Sequence, residues 1–165
     1  HDPRNLDDVR LKKLAATGGV IQMNTLGDFL LNTGGTAVVR AELRAAMARF
    51  AAMPSGPERD RAAAAARSEV FRRNNVKEAT LDDYLRHVDH VLKLIGPDHV
   101  GIGADWDGGG GVIGLEDVTS LPKITQWLVE KGYTEQQIAN IWSGNVLRVL
   151  EEAQNIARGL QKAAQ

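Results

Sequence analysis

Two short apolar runs, Val20-Ile21-Gln22-Met23-Asn24 and His99-Val100-Gly101-Ile102-Gly103, are the strong strand candidates of this chain, and most of what surrounds them has helical spacing. Continuous apolar runs of this length suit strands of a parallel sheet, buried on both faces. The first run follows a helical segment and the pair Gly18-Gly19. Helix, glycine turn and buried strand make half of an α/β repeat. Two parallel strands cannot close a sheet or cover their own edges. The chain therefore reads as α/β. It is expected to be the C-terminal part of a (β/α)8 TIM-like barrel, the last two strands with flanking helices, incomplete on its own.

The helices follow from periodicity and punctuation. Asn5 is expected to cap the first one, with Asp7 and Asp8 at the positive end of its dipole. Leu6, Leu11 and Leu14, with Val9 nearby, supply its apolar side. Residues 26–31 read as a loop or short turn. Residues 36–53 carry Val39, Leu43, Met47 and Phe50 along one side, and Pro54-Ser55-Gly56-Pro57 breaks that helix. Residues 58–73, rich in Ala and Arg, form a second, mostly exposed helix. Within 32–79 this pair reads as an inserted helical hairpin that serves as scaffold or lid support. Thr80 caps the next helix with Asp83 at the capping-box position. Leu81, Tyr84, Leu85, Val88, Val91, Leu92 and Ile95 form its buried side, and Gly96-Pro97 ends it. A further helix runs through Trp127 to Lys131, and Thr134 with Gln137 opens a short one. Gly144-Asn145 reads as a break before a final helix that turns Val146, Leu147, Val149 and Leu150 inward. Residues 161–165 are expected to fray.

Bulk properties narrow the functional classes. The 165 residues suffice for one domain with a core. With 20 basic and 21 acidic residues the net charge is −1, so no strong field draws nucleic acid or anionic lipid. The absence of cysteine excludes disulfides and thiolate metal sites. No apolar run approaches the roughly 18–20 residues of a membrane span. The start His1-Asp2-Pro3-Arg4-Asn5 has neither an initiator methionine nor a signal pattern, and reads as the inside of a longer protein, processed or nicked.

The second strand run ends in Ala104-Asp105-Trp106-Asp107-Gly108, two carboxylates flanked by glycines. Sites in α/β proteins gather at the carboxyl ends of strands. Paired acids there can hold a metal, a substrate ammonium or a water. They can equally form a turn in which Asp107 caps amides and Asp105 is solvated. The glycine run 108–111 lacks the Lys-Ser/Thr of a phosphate loop. His87 and His90, beside Asp83 and Asp89, have helical spacing that can bind zinc, but the bland reading is a polar helix face with His–Asp pairs. Arg4 could hold a carboxylate through its planar fork or be a plain surface side chain.

In order along the chain come Arg4-Asn5-Leu6-Asp7-Asp8, Gly19-Val20-Ile21-Gln22-Met23-Asn24, Thr80-Leu81-Asp82-Asp83-Tyr84 with His87-Val88-Asp89-His90, Val100-Gly101-Ile102-Gly103-Ala104-Asp105-Trp106-Asp107-Gly108, Gly114-Leu115-Glu116-Asp117-Val118, and Gly144-Asn145-Val146-Leu147-Arg148-Val149. Each motif alone is weak. The ordered set resembles the C-terminal part of the membrane (renal) dipeptidase family over nearly the whole chain, except within 32–79, where lengths vary. The resemblance implies that 1–165 is the C-terminal segment of a single metallo-dipeptidase barrel domain that hydrolyses dipeptides at two zinc ions. It implies that Asp105 lies by the metal-bridging water and the substrate amine, where it orients the hydroxide and passes its proton to the leaving nitrogen. It implies that Arg4 binds the substrate's C-terminal carboxylate. Phe29 falls where some members carry a tyrosine, so a hydroxyl contact there is absent.

The family's metal ligands, a His-x-Asp pair, a bridging glutamate and two histidines, have no counterpart here. His1 lies too close to Arg4 to be the last of those histidines. No metal ligand is therefore expected in this chain, and the zinc ligands are expected in an N-terminal segment of the same protein, which is the implied partner besides the dipeptide. A homodimer is compatible with the resemblance. The compartment stays open, with bacterial periplasm or cell surface slightly favoured over cytoplasm. Two rival readings remain. One is a non-catalytic dipeptidase homologue acting as a binding or accessory protein. The other is a free-standing helical interaction module, against which the two lonely strands argue.

Overall fold

The structure is a computed structural model and describes residues 4–31, 37–106 and 109–163. Among these, strands β1 (Ile21–Met23) and β2 (Val100–Ile102) pair in parallel, with Ile21 opposite Val100 and Met23 opposite Ile102. Both strands fall inside the apolar runs expected to form them. The ladder is extended by Gly103, whose N–H donates to the Met23 carbonyl at 2.9 Å. The same carbonyl accepts from the Tyr84 hydroxyl at 3.2 Å. Tyr84 has no exposed surface, and burial pushes its phenol above its ordinary range.

The first helix, α1 (Asp8–Ala16), is capped by Asp7 and not by Asn5. The Asp7 carboxylate accepts from the Arg10 N–H at 2.8 Å. Asn5 is engaged elsewhere, donating to the Phe29 carbonyl at 2.8 Å. Leu11 is buried as expected, but Leu6 and Val9 are exposed. Residues after β1 form a single helical turn, α2 (Gly27–Leu30). Next come α3 (Ala37–Ala48) and α4 (Pro57–Arg73). They pack on each other around Val39, Val70 and Phe71, a small cluster separate from the main core. The helix expected to reach residue 53 ends at Ala48, and Phe50 and Met53 close successive turns onto the Met47 and Phe50 carbonyls.

The central helix is α5 (Leu81–Ile95). Its capping box is formed as the Thr80/Asp83 spacing dictates, with Thr80 N–H and hydroxyl both donating to Asp83 Oδ2 at 3.0 and 2.9 Å. Asp83 is only 2% exposed, and its other oxygen is paired with Arg86 and Lys77. That pairing lets a carboxylate sit beside a core of Tyr84, Val88, Val100, Leu115, Ile124, Leu128 and Ile141. Ile124 and Leu128 come from α6 (Leu121–Glu130), and α7 (Glu135–Ala139) opens with the second expected capping box, Thr134 with Gln137.

Gly144-Asn145 does not break the chain. A π-turn, Asn140–Gly144, runs on into α8 (Asn145–Ala163) with helical backbone at Asn140 and Asn145. A side-chain carbon on Gly144 would come within 2.7 Å of Asn140 Oδ1, which would have to shift to make room. Asn145, 3% exposed, donates through Nδ2 to the carbonyls of Pro97 at 2.7 Å and Val100 at 2.8 Å. Arg148 donates to the Gly18 and Asp98 carbonyls at 2.8 and 3.0 Å. The start of α8 therefore grips the turns that lead into both strands. The expected inward stripe of α8 is corrected in three of its four residues: Val146, Leu147 and Leu150 are exposed, and so are Ile156 and Leu160, while Val149 is half-buried. Periodicity reveals an apolar face but not its direction, and here the inward turn is taken by Asn145. Among the described residues no helix is long and apolar enough to cross a membrane.

Candidate functional site

The carboxyl ends of β1 and β2 lie side by side, and the residues that leave them interlock. After β1 comes Asn24-Thr25, and after β2 comes Ala104-Asp105. Thr25 is fully buried. Its hydroxyl donates to the Ala104 carbonyl and accepts from the Gly111 N–H at 2.8 Å. One side chain thus ties the β1 end to both flanks of the loop that carries Asp105. The Gly110 N–H donates to the Asp105 carbonyl at 2.7 Å, closing that loop on itself. A side-chain carbon at Gly110 would collide with the Ala104 carbonyl oxygen, so this approach requires glycine.

Asp105 is exposed and has φ of 62°, in the left-handed region. Such a conformation costs on the order of 1 kcal/mol or more for a residue with a side chain, and persists where its surroundings over-determine it. Here the surroundings are the Thr25 and Gly110 hydrogen bonds and a contact from Asn24, whose Nδ2 donates to Asp105 Oδ2 at 3.0 Å. Asn24 Oδ1 in turn accepts from the Leu26 N–H at 2.7 Å. Trp106, next in the loop, donates from its indole to the Leu115 carbonyl at 3.3 Å. Asp107, the other acid of the pair, lies outside the described residues.

Arg4 is exposed, with its guanidinium over the Phe29 ring at 4.7 Å from the centroid. Phe29 sits in α2, on the same segment that begins with Asn24. Residues 24–29 therefore touch Asp105 at one end and Arg4 at the other. The helical histidines are engaged singly. His87 Nε2 donates to the Leu30 carbonyl at 2.8 Å, and His90 Nε2 meets Asp8 Oδ1 at 2.8 Å. His99 Nδ1 donates to the Gly19 carbonyl at 2.9 Å. Among the described residues no three His, Cys, Asp or Glu side chains gather as a metal site would require. His1 lies outside them.

Asn24 and Thr25 escape a reading of the sequence because they resemble the polar end of a strand. The available signal is a polar pair directly after an apolar run, at the strand end where sites gather.

A family model for membrane dipeptidases (peptidase family M19) matches residues 1–164. The chain is 42% identical over 83 residues to dipeptidase aclJ of Aspergillus oryzae, covering 50% of this chain and 20% of that protein. It is 30% identical over 161 residues to an uncharacterized dipeptidase of Schizosaccharomyces pombe, covering 96% of this chain and 29% of that protein. Among solved structures it resembles the probable dipeptidase PvdM from Pseudomonas aeruginosa, with a TM-score of 0.60 and 31% identity over 88% of this chain and 40% of that one. It also resembles dipeptidase AC, described as a metallopeptidase of family M19, with a TM-score of 0.57 and 26% identity over 90% of this chain and 32% of that one. Where nearly the whole chain is matched, it spans between 29% and 40% of the length of these relatives.

Proposed function

The chain belongs to the membrane dipeptidase family, peptidase family M19, and from that membership we propose that it is the C-terminal segment of a zinc dipeptidase, contributing the last two strands of its barrel. The observation that carries the proposal is the exposed Asp105 carboxylate at the carboxyl end of β2, held in a left-handed conformation by contacts from the end of β1. In this reading Asp105 accepts a proton from the attacking water and delivers it to the leaving nitrogen. It also offers its charge to the free ammonium group of the substrate. Arg4, whose guanidinium lies over the Phe29 ring, takes the substrate's C-terminal carboxylate through a planar fork.

The described residues do not by themselves fit a metal: each described histidine is committed to a carbonyl or to Asp8, and no third ligand joins them. The two zinc ions of the proposal would take their ligands from an N-terminal segment of the same protein. The roles given to Asp105 and Arg4 use only their own charge and geometry.

The test is dipeptide hydrolysis by the complete protein, read as kcat and KM. Asp105→Asn should lower kcat by roughly 10²–10⁴ while metal content stays unchanged. Arg4→Lys keeps the charge but loses the fork, and should raise KM for substrates with a free carboxylate more than it lowers kcat. A complete protein that hydrolyses no dipeptide in the presence of zinc would support the non-catalytic alternative. Unchanged kcat in Asp105→Asn would remove Asp105 from the chemistry.

A further inference from the structure

We propose that Asn24 is a positioning residue for Asp105: its side-chain amide, locked by the backbone, holds one carboxylate oxygen so that the other faces the substrate. This rests on the reading of Asp105 as the proton-transfer group. The geometry defines which way the amide points. A backbone N–H can only donate, so the Asn24 atom that meets the Leu26 N–H at 2.7 Å is the carbonyl oxygen. The atom on the other side is then the NH2 group, and it faces Asp105 Oδ2 at 3.0 Å.

The clamp answers a specific need. Asp105 lies on an exposed loop with an unfavourable backbone conformation. Hydrogen bonds from Thr25 and Gly110 fix the loop's main chain, but they leave the Asp105 side chain to rotate about its own bonds. Among the described residues it is Asn24 that reaches the carboxylate itself. It does so from residue 24, 81 positions away in sequence, and it is itself anchored at both ends of its amide. The clamp occupies Oδ2 and makes Oδ1 the oxygen that receives the proton. Among the described residues, Arg67 of α4 is a charged group that contacts the loop from outside: its guanidinium donates to the Gly109 carbonyl at 3.4 Å, a main-chain contact and not one to the carboxylate.

The competing role for Asn24 is structural: a side chain that merely caps the Leu26 amide at the turn after β1. Asn24→Asp separates the two roles. It keeps an oxygen for the Leu26 N–H but replaces the donor that faces Asp105 with a second carboxylate. A positioning role predicts a fall in kcat on the order of 10–100-fold, the scale of a misplaced reacting group. The exchanged pair N24D/D105N restores a hydrogen bond of reversed polarity. Its melting temperature should return to that of the unmodified protein, while its kcat should stay as low as that of D105N alone. The measurements are kcat, KM and Tm of the complete protein and these three variants. Wild-type kcat in N24D, with D105N inactive, overturns the inference and leaves Asn24 as a cap. Failure of the exchanged pair to regain Tm relative to N24D also overturns it, because the two side chains would then not be coupled. Wild-type kcat in D105N instead refutes the underlying role of Asp105.

Discussion

Thr25→Val removes one hydroxyl from the junction on which the site depends, with almost no change of shape. Thr25 is fully buried, and its hydroxyl both donates to the Ala104 carbonyl and accepts from the Gly111 N–H. Valine fills the same volume, so no cavity term enters. What is lost is two hydrogen bonds, each worth about 0.5–1.5 kcal/mol net, and two main-chain groups are left without their partner, at about 1–3 kcal/mol each where water cannot replace it. Ala104 and Gly111 are only half-buried, so water offsets part of that second cost. The expected loss is about 2–3 kcal/mol. Thr25→Ser is the control. It keeps both hydrogen bonds and deletes one buried methyl, at a cost of about 1 kcal/mol. Urea unfolding of the complete protein should therefore rank the valine variant below the serine variant. Under the proposed function, dipeptidase kcat should fall about tenfold in the valine variant, because the loop proposed to aim Asp105 is loosened, and stay near wild type in the serine variant. If serine is as damaging as valine, or valine leaves stability unchanged, packing and not hydrogen bonding holds the two strand ends together.

Asn145→Leu should destabilise the complete protein by about 2–4 kcal/mol in a denaturant titration, because it strips the donor from the Pro97 and Val100 carbonyls in a buried place; a change below about 0.5 kcal/mol would show that those carbonyls find other partners. Asp89→Asn tests the surface of α5. The hydrogen-bonded Lys93 ammonium, with Lys131 further off, holds the Asp89 carboxyl below its usual range against a modest opposing effect of burial. A lowered folded-state value means the contribution is present above the ordinary aspartate value near 3.8 and lost as pH falls through the lower folded value. Wild type should thus be slightly the more stable at neutral pH, with the difference disappearing in acid; a difference that grows on acidification would reverse the assigned sign.

What the sequence determined by itself was local. The capping boxes Thr80/Asp83 and Thr134/Gln137 are legible because donor and acceptor lie three residues apart. The two strands are legible because a short apolar run bounded by glycines has few other uses, and Asp105 stood out because such a run ends beside it. The family is legible from ordered motifs. Even local rules mislead where two candidates compete, as when Asp7 took the cap of α1 and left Asn5 for the Phe29 carbonyl. Tertiary structure decided the rest. Asn24 meets Asp105 across 81 positions, Thr25 meets Gly111 across 86, and Asn145 meets Val100 across 45. A side-chain amide or hydroxyl is specific only about hydrogen-bond chemistry, not about which main-chain group the fold will bring within 3 Å. The same holds for the apolar stripe of α8, whose spacing reveals a face but whose direction was set by Asn145 turning inward to grip the strand ends.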